Sequence, residues 1–423
     1  MKLRFLFLIA FLLHAVGAWP LSFVTPEQFG AYGDGVTDDS PAFGACIRSG
    51  LPIRLKDRAL YALHSQLPRI SGSSFELQGR GATVIIDNDY PVEEYDEIFA
   101  FDDEGIHREK YCVSNLKIEC RLGEKFPDFY HTGDTYLLCS RNCKKTIIQR
   151  VDFIDKGWHN NVSFLVVTGG DLYMSDCDIV SHSASRMGGA VWVMDKCSDH
   201  VSVFMKRVTI DYDTLDECFC LAVDALSSLP TVGLDAEIDD CSFSGAGTVP
   251  SSGLFIIHTD TANTIPNFNI HVRRSKFFSK GIWTHRIVMY QCPPVPEALY
   301  SCTFQKCLFD FAPQKFSDVG LIALIQQDRG IAADHIRSTF RNCDFRIRNI
   351  CSIIGDKDGP VNGSLYFYNC RISTDGELFS RKYNAGVGDI RILTRGGKMK
   401  YRGENPSTEQ LNTKNTLFSR FLR

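Results

Sequence analysis

The chain has 423 residues, of which 44% are hydrophobic and 23% are charged, and its formal net charge is −4. This apolar content excludes an intrinsically disordered chain, and the absence of a basic domain argues against a nucleic-acid-binding protein. Because no Pro-, Gly- or Ser-rich linker divides the sequence, we expect one elongated domain.

The first segment is typical of a secretory signal peptide. Lys2 and Arg4 precede an apolar run from Phe5 to Leu13, and the small residues Val16-Gly17-Ala18 follow. This order predicts a signal peptide over residues 1–18. The apolar run is too short to span a bilayer, and no second run of about 20 apolar residues follows, so no transmembrane segment is expected in the mature protein. We therefore expect a secreted or extracytoplasmic protein, and a retained lipid-facing anchor is the alternative.

The next segment has the pattern of a short capped helix. Asp38 and Asp39 precede Pro41 and a mostly apolar stretch over residues 42–47, and Gly50 follows. Aspartate before a helix, proline in its first turn and glycine after its end are the usual boundary residues. We expect this helix to cover the first coil of the fold.

The stretch from Phe29 to Phe43, FGAYGDGVTDDSPAF, resembles the entry motif of rhamnogalacturonase/epimerase-type proteins in the pectin-lyase-like (pectate lyase) superfamily. The resemblance implies a right-handed parallel β-helix that begins with this strand, turn and capping helix. It leaves the function open, because this fold hosts hydrolases, lyases, epimerases and non-catalytic binding proteins.

A short strand pattern recurs nine times along the chain, with copies 26 to 36 residues apart. Each copy has an apolar residue, two spacers, a small or apolar central residue, a polar residue and another apolar residue. The alternation and the β-branched and aromatic content favour strands over a helical solenoid. With the resemblance, the repeats predict an all-β chain, a single-stranded right-handed parallel β-helix of about ten coils over residues 24–395. The central positions are Leu116, Val151, Cys177, Val208, Cys241, Ser275, Cys307, Cys343 and Cys370.

The residue before the central position predicts a sharp corner in each coil. It is Asp176, Asp240, Asn342 or Asn369 in four copies, and Asp and Asn tolerate the left-handed backbone of a tight turn.

Sixteen cysteines in an exported protein raise the question of disulfides. Five of them occupy central positions, so we expect them to point into the core as an unpaired stack. A disulfide framework is the alternative.

A second family of apolar strands ends in polar residues. In-register stacking would align Asp195, Asp224 and either His258 or Asp260 in a column, with neighbours about 5 Å apart. Such a column would provide an acid beside a base, as glycosidases require. The alternative is that these aspartates only cap the turns that follow.

Asp216 and Glu217, just before Cys218, faintly resemble the paired-aspartate-then-cysteine motif of polygalacturonase-type hydrolases. The Asn-Thr-Asp, His-Gly and Arg-x-Lys elements of that family are absent, which puts its standard catalysis in doubt. A solvated acidic turn is the alternative.

Four further residues are candidates for substrate binding: His285, Arg286, Tyr290 and Trp283. Arg286 beside His285 would serve a lyase as base, together with Ca²⁺ to neutralise the uronate. Trp192 is another aromatic candidate for sugar stacking, although it alternates as a core residue does.

No metal site and no other cofactor is expected from the spacing of ligand residues. Cys139-x-x-x-Cys143 and Cys218-x-Cys220 lack matching His or Cys pairs. The basic tail over residues 396–423 is expected to be a solvated end.

Together these features predict a secreted carbohydrate-active enzyme that acts on a complex or acidic polysaccharide, with a glycoside hydrolase favoured over a polysaccharide lyase. No nucleic-acid partner is expected. The alternative is a non-catalytic polysaccharide-binding or surface structural β-helix protein.

Overall fold

The computed structural model describes residues 22–87, 89–91, 95–102, 107–122, 134–156, 161–182, 187–194, 201–213, 217–225, 233–246, 253–259, 267–279, 286–291, 300–314, 322–323, 336–350, 352–356, 363–384, 390–401 and 417–421. Almost all regular structure in them is β-strand, and the strands are numbered in chain order. The helical elements are a 3₁₀ turn at Pro26–Phe29 and helix α1 at Ser40–Ser49.

The strands form two sheets. The larger sheet has 21 strands: β1 (Asp34–Asp38), β2 (Ile53–Arg54), β3 (Leu60–Leu63), β4 (Ser74–Ile86), β6 (Lys110–Cys120), β8 (Lys145–Asp155), β10 (Asp171–His182), β12 (Val201–Asp213), β14 (Gly233–Asp239), β15 (Ser242–Ala246), β17 (Asn267–Arg273), β18 (Lys276–Ser279), β20 (Tyr300–Gln305), β21 (Leu308–Phe311), β23 (Ile336–Arg341), β24 (Asp344–Ile347), β26 (Gly363–Tyr368), β27 (Arg371–Thr374), β29 (Ile390–Arg395), β30 (Lys398–Lys400) and β31 (Leu417–Phe421).

The smaller sheet has ten strands, each parallel to the next along the chain. They are β5 (Tyr95–Ala100), β7 (Asp134–Arg141), β9 (Asn161–Thr168), β11 (Met187–Met194), β13 (Glu217–Ala225), β16 (Gly253–Thr259), β19 (Arg286–Gln291), β22 (Ile322–Ala323), β25 (Ser352–Asp356) and β28 (Glu377–Asn384). The chain therefore alternates between the two sheets once per coil. This confirms the predicted right-handed parallel β-helix.

Each coil turns a corner within the larger sheet. The long strands β4 to β12 bend there, and in later coils the corner separates two shorter strands. The predicted corner residues Asp176, Asp240, Asn342 and Asn369 have φ between 53° and 57°, which is the left-handed region that Asp and Asn tolerate best. Arginine or lysine takes the same conformation in other coils, at Arg150, Arg207, Arg274 and Lys306.

The predicted cysteine stack is confirmed. Cys177, Cys241, Cys307, Cys343 and Cys370 are buried and form no disulfide. Burial raises the pKa of Cys177 to about 12, and a hydrogen bond with Cys307 together with burial raises the pKa of Cys343 to about 12. The thiols of Cys177 and Cys343 therefore stay protonated. Buried cysteines of this kind pack as small apolar groups.

The N-terminal end of the solenoid is closed as predicted. Phe43 of α1 is fully buried and contacts Tyr61 edge-on, with ring centroids 5.3 Å apart. Asp38 accepts a hydrogen bond from the backbone N–H of Ser40, 2.9 Å away, at the start of the helix. Gly50 ends α1 with a φ of 67°. The helix therefore covers apolar side chains at this end that would otherwise face water.

At the other end, the parallel ladder continues past residue 395. Strand β30 pairs in parallel with β27, and β31 pairs antiparallel with β29. Part of the basic segment expected as a solvated tail is thus built into the sheet. Among the residues that are described, no helix combines the length and apolar character needed to cross a membrane.

Candidate functional site

The ends of three strands in the ten-stranded sheet bring polar residues into one row. Asp224 on β13 lies beside His258 on β16, and His258 lies beside Gln291 on β19. Neighbouring strands are about 4.8 Å apart, so these backbone positions are close. The predicted alignment of Asp224 with His258 is therefore confirmed for the backbone, whereas a catalytic role for either residue remains a prediction.

The other candidates are placed differently. Tyr290 lies beside Ile257, one position before the row. Glu217 and Arg286 each begin a strand, and the seven residues from Glu217 to Asp224 correspond to about 23 Å at the usual rise of a strand. The structure thus separates Glu217 and Arg286 from the row. Five of the predicted site residues lie outside the described residues: Asp195, Asp216, Asp260, Trp283 and His285.

Trp192 lies on the outer face of the ten-stranded sheet. Its neighbours Val191 and Val193 belong to the main core, and side chains alternate between the two faces of a strand. Trp192 and Tyr136 instead pack against a separate cluster formed by Ala100, Cys139 and Val166. Trp192 is thus half-buried against this second cluster and not part of the main core, and its role in sugar stacking stays a prediction.

A strongly basic surface covers the C-terminal part of the larger sheet, although the chain as a whole is slightly acidic. We call it the basic face. Strands β17 to β30 of this sheet contain only two acidic residues, Asp310 and Asp344. The exposed cationic side chains of these strands and their corners are Arg273, Arg274, Lys276, Lys306, Arg337, Arg341, Arg346, Arg348, Arg371, Arg395, Lys398 and Lys400.

Two arginines and two tyrosines form the centre of the basic face. Arg341 lies beside Tyr368 in the register of β23 with β26, and its guanidinium carbon is 4.5 Å from the centre of that ring. Arg337 lies over Tyr366 at 5.7 Å. The two tyrosine rings are parallel within 2° and have centroids 6.3 Å apart. The strand pairing thus places one guanidinium group over each of two neighbouring tyrosine rings.

Arg395 extends this array onto the next strand, where it lies beside Tyr368 in the register of β26 with β29. Among the described residues, no carboxylate lies within salt-bridge distance of Arg337, Arg341 or Arg395. All three side chains are exposed, so their charges face the solvent.

The arginines at the edges of the basic face are used within the protein. Arg273 pairs with Glu237 at 3.4 Å, and Arg274 pairs with Asp239. Asp344 contacts both Arg371, at 2.5 Å, and Arg346, at 3.0 Å. The hydrogen bond from Arg371 lowers the pKa of the Asp344 carboxyl group, which therefore stays charged and neutralises part of this region.

An acidic band lies on the preceding coils of the same sheet. Strands β10 to β15 and their corners carry far more carboxylates than cations. The acidic residues are Asp171, Asp176, Asp178, Asp211, Asp213, Asp235, Glu237, Asp239 and Asp240, against Lys206 and Arg207. Charge is thus segregated along the solenoid axis, which the net charge of the chain conceals.

Sequence reasoning missed the basic face because its members are far apart in the chain. Arg341, Tyr368 and Arg395 are separated by 27 residues at each step, and only the strand register makes them neighbours. The nine-copy alignment could have indicated the basic face. In four successive copies, the residue two positions before the central one is Arg273, Gln305, Arg341 and Tyr368.

The comparisons with known proteins give similar folds only. No family model matches the chain, and no curated protein matches it by sequence. Among solved structures, the surface adhesin PfbA of Streptococcus pneumoniae has 11% identity and a TM-score of 0.39, over 88% of this chain and 92% of that one. The A-module of the mannuronan C-5 epimerase AlgE6 of Azotobacter vinelandii has 11% identity and a TM-score of 0.44, over 90% and 100%. These values do not define a function for this chain.

Proposed function

We propose that this chain is an exported protein that binds an acidic polysaccharide along the basic face. The observation that carries the proposal is the array of Arg337, Arg341 and Arg395 around two parallel tyrosine rings. The signal-peptide pattern over residues 1–18 supports export, which would place the protein where such polymers occur.

The chemistry of the array fits a carboxylated sugar polymer. A guanidinium group donates two parallel hydrogen bonds to one carboxylate, and these charge-assisted bonds are stronger than neutral ones. The tyrosine rings hold the guanidinium groups of Arg337 and Arg341 by cation–π contacts, and their hydroxyl groups can form hydrogen bonds with sugar oxygens. Because coils repeat about every 4.8 Å, the face presents these groups periodically to a polymer that is itself periodic.

Reversing charge at the centre of the face should abolish tight binding. The double variant Arg337→Glu/Arg341→Glu removes two charge-assisted contacts. If each contact contributes roughly 1.4 kcal/mol to the binding free energy, the affinity for polygalacturonate should fall by about 100-fold. Isothermal titration calorimetry of the full chain measures this. The matched control is Lys56→Glu/Lys144→Glu, which makes the same charge change at exposed residues of the N-terminal coils.

The control should keep its affinity within about twofold, because exposed charges farther apart than the Debye length, about 8 Å at physiological salt, are largely screened. An equal loss of affinity in both double variants would show that the polymer is attracted non-specifically by the charge of the protein, and this would contradict the proposal. Tighter binding of a single-stranded nucleic acid than of polygalacturonate would contradict the choice of polymer.

Cleavage of the bound polymer is the second candidate function, favoured by the row of Asp224, His258 and Gln291. A carboxylate and an imidazole on neighbouring strands are the group types that serve as acid and base in hydrolysis. We expect new reducing ends from pectins, rhamnogalacturonans or bacterial capsular polysaccharides, and their loss in Asp224→Asn without loss of binding. If no reducing ends and no unsaturated products form from any of these polymers, polysaccharide binding is the sole activity.

A further inference from the structure

The larger sheet carries opposite charges at equal distances from the middle of its outer face. Before the corner of each coil, parallel strands follow one another in the order β10, β12, β14, β17, β20, β23, β26 and β29. We call their solvent side, from Asp171 on β10 to Arg395 on β29, the pairing face. Its middle lies between β17 and β20. One strand farther out on each side, β14 carries three acidic residues and β23 carries two arginines.

A half-turn about an axis that runs along the strands, between β17 and β20, would set β14 of one copy against β23 of another. In the shared register, Asp235 then faces Arg337, and Asp239 faces Arg341. Asp235 and both arginines are exposed. The half-turn therefore brings opposite charges together, and it does so twice because the relation is symmetric.

The position of this axis is selected by the charges of the neighbouring strands. With the axis on β17, Arg341 would face Lys206 of the second copy, and with the axis on β20 it would face Arg273. All three side chains are exposed cations, and like charges placed together across an interface disfavour binding. Of these three positions, only the one between β17 and β20 sets Arg341 against a carboxylate.

The next strands outward, β12 and β26, carry aromatic residues at matching positions. The same half-turn sets Phe204 against Tyr366. Phe204 is 39% exposed, and its ring stacks on Tyr173 with centroids 4.9 Å apart. A second copy would bury this exposed ring, and aromatic residues are enriched in protein–protein interfaces.

The area of the pairing face suits a stable dimer. Eight strands about 4.8 Å apart, each contributing five residues with a rise of about 3.3 Å, cover roughly 650 Å² on each copy. Two copies would thus bury roughly 1,300 Å², and specific interfaces bury about 1,200–2,000 Å² in total.

We propose that two copies of this chain form a dimer through the pairing face, related by a two-fold axis along the strands between β17 and β20. The interface contains two pairs of Asp235 with Arg337 and two pairs of Asp239 with Arg341. These arginines also belong to the proposed polysaccharide site, so a second copy and an acidic polymer compete for them.

Sedimentation velocity of the full chain without polysaccharide tests the dimer. We expect a dimer that dissociates as the NaCl concentration rises, because salt screens the charge pairs. Asp235→Arg and Arg337→Asp should each raise the dimer dissociation constant by at least about tenfold. The double variant Asp235→Arg/Arg337→Asp should return it to within about threefold of the wild type, since the exchanged charges again face each other.

The matched control is Asp57→Arg, which makes the same charge change at an exposed residue of the N-terminal coils and should leave the dimer intact. An equal loss in Asp57→Arg and Asp235→Arg would show that only the net charge matters and would overturn the proposal. A wild-type monomer or trimer would also overturn it, as would a double variant no tighter than the single ones.

Two further measurements keep the outcome clear. If Arg337→Asp fails to fold, Phe204→Glu changes an exposed side chain of the same interface, and an unchanged dissociation constant there contradicts the proposal. Asp235→Arg leaves every arginine of the basic face in place, so it should still bind polygalacturonate. Loss of the dimer with retained polysaccharide binding therefore separates this proposal from the proposed function.

Discussion

Phe309→Ala should lower the free energy of unfolding by about 3–5 kcal/mol, the usual cost of removing a buried phenylalanine. Phe309 is fully buried, and its ring stacks between Phe277 at 4.9 Å and Phe345 at 4.5 Å. It also meets Phe304 and Phe340 edge-on. Four aromatic contacts would thus be lost around one cavity.

Denaturant unfolding of the variant, followed by near-UV circular dichroism, measures this loss. Phe309→Leu is the control, because it keeps most of the volume and should cost less than about 1.5 kcal/mol if the neighbours repack. A loss below 1 kcal/mol in Phe309→Ala would mean that the rings are not packed as the register requires.

Arg108→Met should lower the free energy of unfolding by about 3 kcal/mol, because it removes the buried partner of an ion pair whose carboxylate is only partly exposed. Arg108 is only 1% exposed and forms an ion pair with Asp102. Its guanidinium also donates to the backbone oxygens of Ser71, at 3.1 Å, and Gly72, at 2.7 Å. Methionine leaves the carboxylate and both carbonyl groups without these donors.

A double-mutant cycle separates the ion pair from the rest of the network. Arg108→Met/Asp102→Leu removes both charges, so it should be more stable than Arg108→Met alone. Thermal and urea unfolding of Arg108→Met, Asp102→Leu and the double variant give the coupling between the two residues. Additive losses would show that the pair contributes nothing beyond packing.

The architecture could be predicted from the sequence because the repeat encodes it locally. Cys177, Cys241 and Cys343 each sit two residues before an apolar residue, and strand periodicity alone assigns both to the core. The polar residue before each cysteine predicts the corner. These inferences need no knowledge of which coil lies beside which.

The candidate sites could be predicted only in part, because they depend on register across loops of different length. Asp224 and His258 were aligned from matching strand ends, whereas Glu217 was proposed from a faint motif resemblance and begins its strand, away from that row. Arg341 and Tyr368 looked unrelated in the sequence. The correspondence of Asp235 with Arg337 was equally hidden, because the register of four strands in different coils sets it.

The proposed function is tested most directly by comparing the affinity of the wild-type chain for polygalacturonate with its affinity for the same polymer after reduction of its carboxyl groups to alcohols. The two ligands share their backbone and differ in charge. If Arg337, Arg341 and Arg395 bind carboxylates, affinity for the reduced polymer should be about 100-fold lower, a difference of roughly 2.7 kcal/mol. Equal affinity for the two polymers, or binding to neither, would contradict acidic-polysaccharide recognition by the basic face.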